Sequence, residues 1–242
     1  VASLVGSEMC IRDRFRYNVL MEPLQSLIIT YPGNELEPFL TGKKGLNNML
    51  KHKEIKYPPS KGEYEYKNGK ENIFSYDKIG NYSSKIKKIL DNIIVSDGIV
   101  LIYSQYIDGG IIPMALALEE YGFIRTGSGK SLLKNPPKEK ANIYNLGKDK
   151  QVKKNKVAKY SIVCGDIMIT PEPNIDIQNA TSESNLNGEE VKVILISQTG
   201  TEGIDFKNIR QIHILEPWYN MNRIQQIIGR GAVSYTHLRA HE

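Results

Sequence analysis

Two cysteines, four histidines and one tryptophan are spread over 242 residues. His237 and His241 fall in the last eleven residues; the other two, His52 and His213, are too few and too separated for a metal centre built on histidine. No apolar run approaches the 18 or more residues that a membrane-spanning helix needs, and none is predicted. Nor do the two ends show periodicity. Val1–Arg14, VASLVGSEMCIRDR, and Ala232–Glu242, AVSYTHLRAHE, keep neither the 3.6-residue nor the two-residue spacing of apolar side chains over any length.

Both end strings look like translated sequencing-adapter read-through. On that reading they are not native, and the native segment runs from about Phe15 to Gly231, open at both ends. Each string is charge-neutral, so the net charge of +5 belongs to the native part. Cys10, His237 and His241 go with the ends. Cys164 then stands alone, which leaves no internal disulfide and no sign of an oxidising compartment.

What the chain has is alternation. Ser83 or Ser84 can cap a helix whose apolar face is Ile86, Ile89, Leu90, Ile93 and Ile94. Gly98–Ser104, GIVLIYS, reads as a buried strand. After Gly109-Gly110, Pro113 starts a second helix with Met114, Leu118 and Tyr121, closed by Gly122. Residues 160–164, YSIVC, and the runs at Val193–Ile196 and Ile209–Leu215 read as further strands. Strand–helix alternation of this kind predicts an α/β fold, a three-layer domain with a mostly parallel sheet. Residues 15–80 read as an irregular lead-in and 81–231 as the domain itself.

The charge is uneven. Arg125–Lys159 holds one arginine and ten lysines against Glu139 and Asp149, about +9, so the remainder is about −4. This basic insertion reads either as a solvated loop or as an electrostatic attractor for phosphates. Leu46–Gly80, with Pro58-Pro59 and several tyrosines and lysines, admits the same two readings.

The most informative stretch is Val193–Gly231. An apolar strand is followed by a polar turn, Ser197-Gln198-Thr199-Gly200-Thr201-Glu202-Gly203-Ile204-Asp205. A second strand, Glu216-Pro217-Trp218, and a helical pattern ending in Gln226-Ile227-Ile228-Gly229-Arg230 come next. This order resembles motifs V and VI of superfamily 2 helicases and translocases, found in the second of two RecA-like domains that clamp ATP. The resemblance implies that Ser197 contacts the nucleic-acid backbone, and that Gly203 and Asp205 contact the nucleotide. It implies that Gln226, Gly229 and Arg230 form the Q-x-x-G-R core, with Arg230 reaching the γ-phosphate held by the partner domain. A guanidinium supplied there offsets charge spreading over the phosphate oxygens. The family pattern continues to a second arginine where Val233 stands. The expectation is that the native frame ends near Gly231 and that authentic gene sequence restores that arginine.

GIVLIYSQYIDGGIIPMALALEEYGF and its flanks are similar to helicases of nucleocytoplasmic large DNA viruses, of the poxvirus NTPase and early-transcription-factor type. In that family Tyr103-Ser104-Gln105 occupies motif IV, near the nucleic-acid path. The alternative for those residues is simply the end of a central strand. Thr126-Gly127-Ser128-Gly129-Lys130-Ser131 imitates a P-loop, but Ile124 stands where the first glycine is needed and Asn135-Pro136-Pro137 forbids a following helix. It is expected to be a basic loop.

The resemblance implies the C-terminal half of an ATP-dependent helicase or translocase acting on DNA or RNA. ATP and Mg²⁺ would be cofactors, with the Mg²⁺ ligands in an N-terminal RecA-like partner domain. No membrane association is expected, and the implied location is host cytoplasm (a viral factory) or the virion. The alternatives are a chromatin-remodeller-type double-stranded DNA translocase and a non-catalytic nucleic-acid-binding module. A self-contained P-loop enzyme remains a third.

Overall fold

A computed structural model describes residues 20–33, 40–52, 63–127, 130–147, 154–197, 208–217, 224–225 and 228–229. The two end strings assigned above as foreign lie outside these residues. In chain order the elements are α1 (Gly42–Met49), β1 (Leu50–Lys51), β2 (Glu65–Tyr66), α2 (Ser84–Val95) and β3 (Ile99–Tyr103). They continue with α3 (Ile112–Glu120), β4 (Ile124–Arg125), β5 (Lys159–Val163), α4 (Pro173–Thr181), β6 (Val193–Ile196) and β7 (Ile209–Ile214).

β1 and β2 form a small antiparallel pair, while the other strands make one sheet in the order β4-β5-β6-β3-β7. Every pairing in this five-stranded sheet is parallel. All carboxyl ends therefore point to one edge. β3 and β6 are buried on both faces, as their unbroken apolar runs require. Val100, Ile102, Tyr160, Ile162, Val193 and Leu195 face the larger core, which α2 and α3 complete. Ile99, Leu101, Tyr103, Val163, Ile194 and Ile196 face a smaller core closed by Val191 and by Ala180 of α4. Helices on both faces of a parallel sheet make the α/β architecture that the alternation predicts and the RecA-like fold that the resemblance implies.

Ser83 caps α2 by accepting the Ile86 N–H at 3.0 Å, and its own hydroxyl donates to Ile28 O. Ile86, Ile89, Leu90 and Ile93 are buried, as their spacing predicts, while Ile94, expected on the same face, is only half-buried. α3 buries far more than Met114 and Leu118. Ile112 to Glu119 are all buried, so the helix is enclosed on every side. It closes at Gly122, whose φ of +101° no side chain adopts cheaply.

The material enclosing α3 comes from the supposed lead-in. Leu46, Met49, Leu50, Tyr64, Ile73, Phe74 and Ile79 are buried in the same core as the sheet. Tyr66 Oη donates to Asn72 Oδ1 at 2.6 Å, and Asn72 Nδ2 donates to Glu120 at 2.8 Å, tying this segment to the end of α3. Each such apolar side chain contributes about 1.5–3 kcal/mol on leaving water. The basic insertion is likewise anchored where it is described: Leu132, Leu133 and Leu146 are buried, and Leu133 bridges Tyr64. Composition missed this because three leucines among ten lysines barely alter the mean hydropathy.

Candidate functional site

The carboxyl edge of the sheet is where the chain presents its polar groups. From β3 the chain leaves towards the β4 side; from β6 it leaves the other way, crossing β3 to reach β7. Neighbouring strands whose connections part in opposite directions leave a crevice at their carboxyl ends. Ser104 follows β3 and Ser197 follows β6. Ser104 N–H donates to Ile196 O at 3.1 Å, and Ser197 N–H donates to Val163 O at 3.2 Å. The two serines proposed from separate motifs are thus brought to adjacent positions on one edge.

Both are buried. Ser104 is closed off entirely, and its hydroxyl donates to Glu216 Oε2 at 2.8 Å while Tyr106 N–H donates back to Ser104 Oγ at 3.1 Å. In this geometry the Ser104 hydroxyl faces Glu216 and not solvent. Gln105 is half-buried. Its N–H donates to Glu216 Oε1, and its Nε2 is buried with no hydrogen-bond partner.

Glu216 is the residue that sequence reasoning overlooked. It lies two residues beyond β7, is 1% exposed, and fills both carboxylate oxygens from the β3 loop. Burial pushes its carboxyl up to about 7, against the opposing pull of the Gln105 N–H, the Ser104 hydroxyl and the Lys85 cation. Lys85, in the first turn of α2, donates to Leu215 O at 2.5 Å, and burial lowers its ammonium. A signal was present: an acidic residue ending an apolar strand and followed by proline. Its partner, 112 positions away, was not visible.

After Gln105 the backbone widens into a π-helical turn, Ile107–Ile111, before α3 begins. Such turns recur at functional sites. Gly109 and Gly110 sit in it because the space is taken: a Cβ on Gly110 would overlap Ser104 Oγ, and one on Gly109 would overlap Gln25.

Thr126 and Gly127 leave the short edge strand β4, and among the described residues no helix follows before β5. Ser131 Oγ donates to Glu119 Oε2 at 2.8 Å, and the Leu132 and Leu133 amides donate to the same carboxylate at 2.9 and 2.7 Å. The Ser131 hydroxyl and the two amides that follow it are committed to a buried acid. Lys130 is exposed.

Of the remaining candidates, Gly203, Asp205, Gln226 and Arg230 lie outside the described residues. Gly229 lies in a helical stretch, and a Cβ added there meets nothing within 4 Å. Among the described residues no group of three or more metal-ligating side chains converges, and no helix is long and apolar enough to cross a membrane.

Residues 131–232 match the helicase conserved C-terminal domain. This part of the chain is similar to the C-terminal domain of helicases. The match begins inside the basic insertion. The chain is similar to a termination factor NPH-I homolog of African swine fever virus, 34% identical over 162 residues, which cover 62% of this chain and 23% of that protein. It is similar to a protein named as an ATP-dependent RNA helicase of Acanthamoeba polyphaga mimivirus, 29% identical over 197 residues, covering 79% of this chain and 28% of the relative. A second mimivirus protein so named is 43% identical over 70 residues, covering 28% of this chain and 9% of its own length. The chain therefore spans about a quarter of the length of the first of these relatives. These relatives are proteins of large DNA viruses, the group to which the sequence was expected to be similar.

Proposed function

We propose that this helicase C-terminal domain supplies motifs V and VI to an ATP site completed by an N-terminal RecA-like domain of the same protein. The pair of serines at the carboxyl-edge crevice supports this reading, because it places the Ser104 loop and the start of the Ser197 turn on adjacent strands. In it, Gly203, Asp205 and Gly229 contact the nucleotide, Gln226 orients it, and Arg230 stabilises the transferring phosphoryl group. Mg²⁺ is held by the partner domain. Ser197, Ser104 and Gln105 border the path of DNA or RNA, with the Ser104 hydroxyl reaching it only after leaving Glu216. The lysines of the basic insertion add sequence-independent attraction to phosphates. The site of action is the cytoplasm of an infected cell or the virion.

The test uses the complete protein. ATP hydrolysis stimulated by nucleic acid should fall about 10³-fold in Arg230→Ala, the order expected for a lost transition-state arginine. Unchanged hydrolysis would leave only the nucleic-acid-binding module. Strand-displacement assays then separate unwinding from translocation on double-stranded DNA.

A further inference from the structure

We infer that Glu216 is a positioning residue coupling the Ser104–Gln105 loop to the segment that carries Gln226 and Arg230. The inference rests on the reading proposed above. Three observations carry it.

First, the Glu216 carboxylate is the shared acceptor of a loop it does not belong to. Oε2 takes the Ser104 hydroxyl at 2.8 Å and Oε1 takes the Gln105 backbone N–H. A bidentate carboxylate of this kind fixes both position and orientation of what it holds. Second, the surroundings leave no slack. The π-helical turn packs on the Ser104 side chain so closely that Gly110 admits no Cβ. Leu215 N–H donates to Tyr103 O at 2.9 Å, and Lys85 grips Leu215 O from α2. Third, Pro217 follows at once. Its fixed φ removes one of the two torsions through which a shift at Glu216 could dissipate before Trp218.

A displacement of the Ser104–Gln105 loop by nucleic acid must therefore move Glu216 or break its bonds. Glu216 stands at the start of the stretch of sequence that runs on to Gln226 and Arg230. In this arrangement Glu216 touches neither substrate. It converts occupancy at one site into geometry at the other, and should govern how strongly nucleic acid stimulates hydrolysis more than hydrolysis itself.

The experiment measures ATP hydrolysis by the complete protein with and without mixed-sequence single-stranded DNA or RNA. The variants are Glu216→Ala, Glu216→Asp and Glu216→Gln, each checked by thermal melting. Asp keeps the charge but withdraws the carboxylate by one methylene, so it cannot span both donors. Gln keeps the length and one acceptor oxygen. The expected result is a fall of about tenfold in nucleic-acid stimulation for Ala and Asp, within the usual range of coupling between sites. Basal hydrolysis and the KM for ATP should stay within about twofold, since no substrate contact is removed. Gln should restore most of the stimulation. If Glu216→Ala does not fold, the Asp and Gln variants carry the comparison. Undiminished stimulation in Asp overturns the coupling, as does a fall of basal and stimulated rates by one common factor; both leave the helicase reading standing. If the unmodified protein hydrolyses no ATP with either nucleic acid, both readings fall together.

Discussion

Tyr160 Oη donates to Glu119 Oε1 at 2.6 Å, joining the second strand of the sheet to its most enclosed helix. Glu119 is 1% exposed and also accepts Ser131 Oγ and the amides of Leu132 and Leu133. One carboxylate thus satisfies four donors from two segments. Buried donors left without an acceptor each cost about 1–3 kcal/mol. Glu119→Ala should therefore lower the unfolding free energy by about 3 kcal/mol or more, read by urea denaturation. Glu119→Gln, which keeps one acceptor, should lie between. A loss below about 1 kcal/mol in the alanine variant would show that water replaces the carboxylate.

Glu216 gives the protein a pH dependence of opposite sign to that of most acids. Its carboxyl is raised from 4.5 to about 7 in the folded state. Between those values the folded protein holds the proton more tightly than the unfolded chain. The stabilisation is complete below about pH 4.5 and is lost as pH rises through about 7. At about 1.4 kcal/mol per pH unit, the contribution reaches about 3 kcal/mol at most. The melting temperature of the unmodified protein, compared with that of Glu216→Gln, should fall between pH 5 and 8. Parallel curves for the two proteins would show that burial does not hold the proton there.

Lys130→Ala should leave nucleotide chemistry unchanged. Among the described residues no helix follows Lys130-Ser131 before β5, and the Ser131 hydroxyl is spent on Glu119. The 242-residue chain alone is expected to bind ATP poorly and to release no phosphate in a malachite-green assay. ATP-dependent release that disappears in Lys130→Ala would mean that the loop is a working P-loop after all.

Gly110→Ala should cost about 1–3 kcal/mol, the usual penalty for an added methyl in a filled space. The new Cβ would overlap Ser104 Oγ and stand 2.9 Å from Ser104 Cβ, pushing the hydroxyl off Glu216. Gly80→Ala is the control, because its Cβ meets only the Lys87 side chain, at 3.6 Å. It should change stability by less than about 0.5 kcal/mol. Equal melting temperatures for the two variants would mean that the π-helical turn yields freely.

Local chemistry was enough to write much of this fold from the sequence. The capping serine and four-isoleucine-or-leucine face of α2, and the apolar runs of β3, β5, β6 and β7, follow from side-chain period and burial alone. So did the rejection of the P-loop, since Pro136-Pro137 cannot continue a helix. The two-residue strand β4 was not legible, because Ile124–Arg125 is too short to show a period and gains its place only by pairing with β5. Nor was α4, whose nine residues bury only Asp176 and Ala180 and so show little amphipathic pattern.

The candidate site divides the same way. Motif order in Val193–Gly231 and the strand end at Ser104 could be read along the chain, because spacing along a strand–turn–strand unit is a local property. Three things belonged to tertiary structure alone. Residues 63–80 turned out to be core because they wrap α3, a helix more than 30 positions further along. The leucines of the basic insertion found apolar partners that composition averages away. And Glu216 met Ser104 only because β7 lies beside β3 in the sheet. A sequence records which side chains can be buried and at what period; which distant strands become neighbours depends on how those buried faces close against one another.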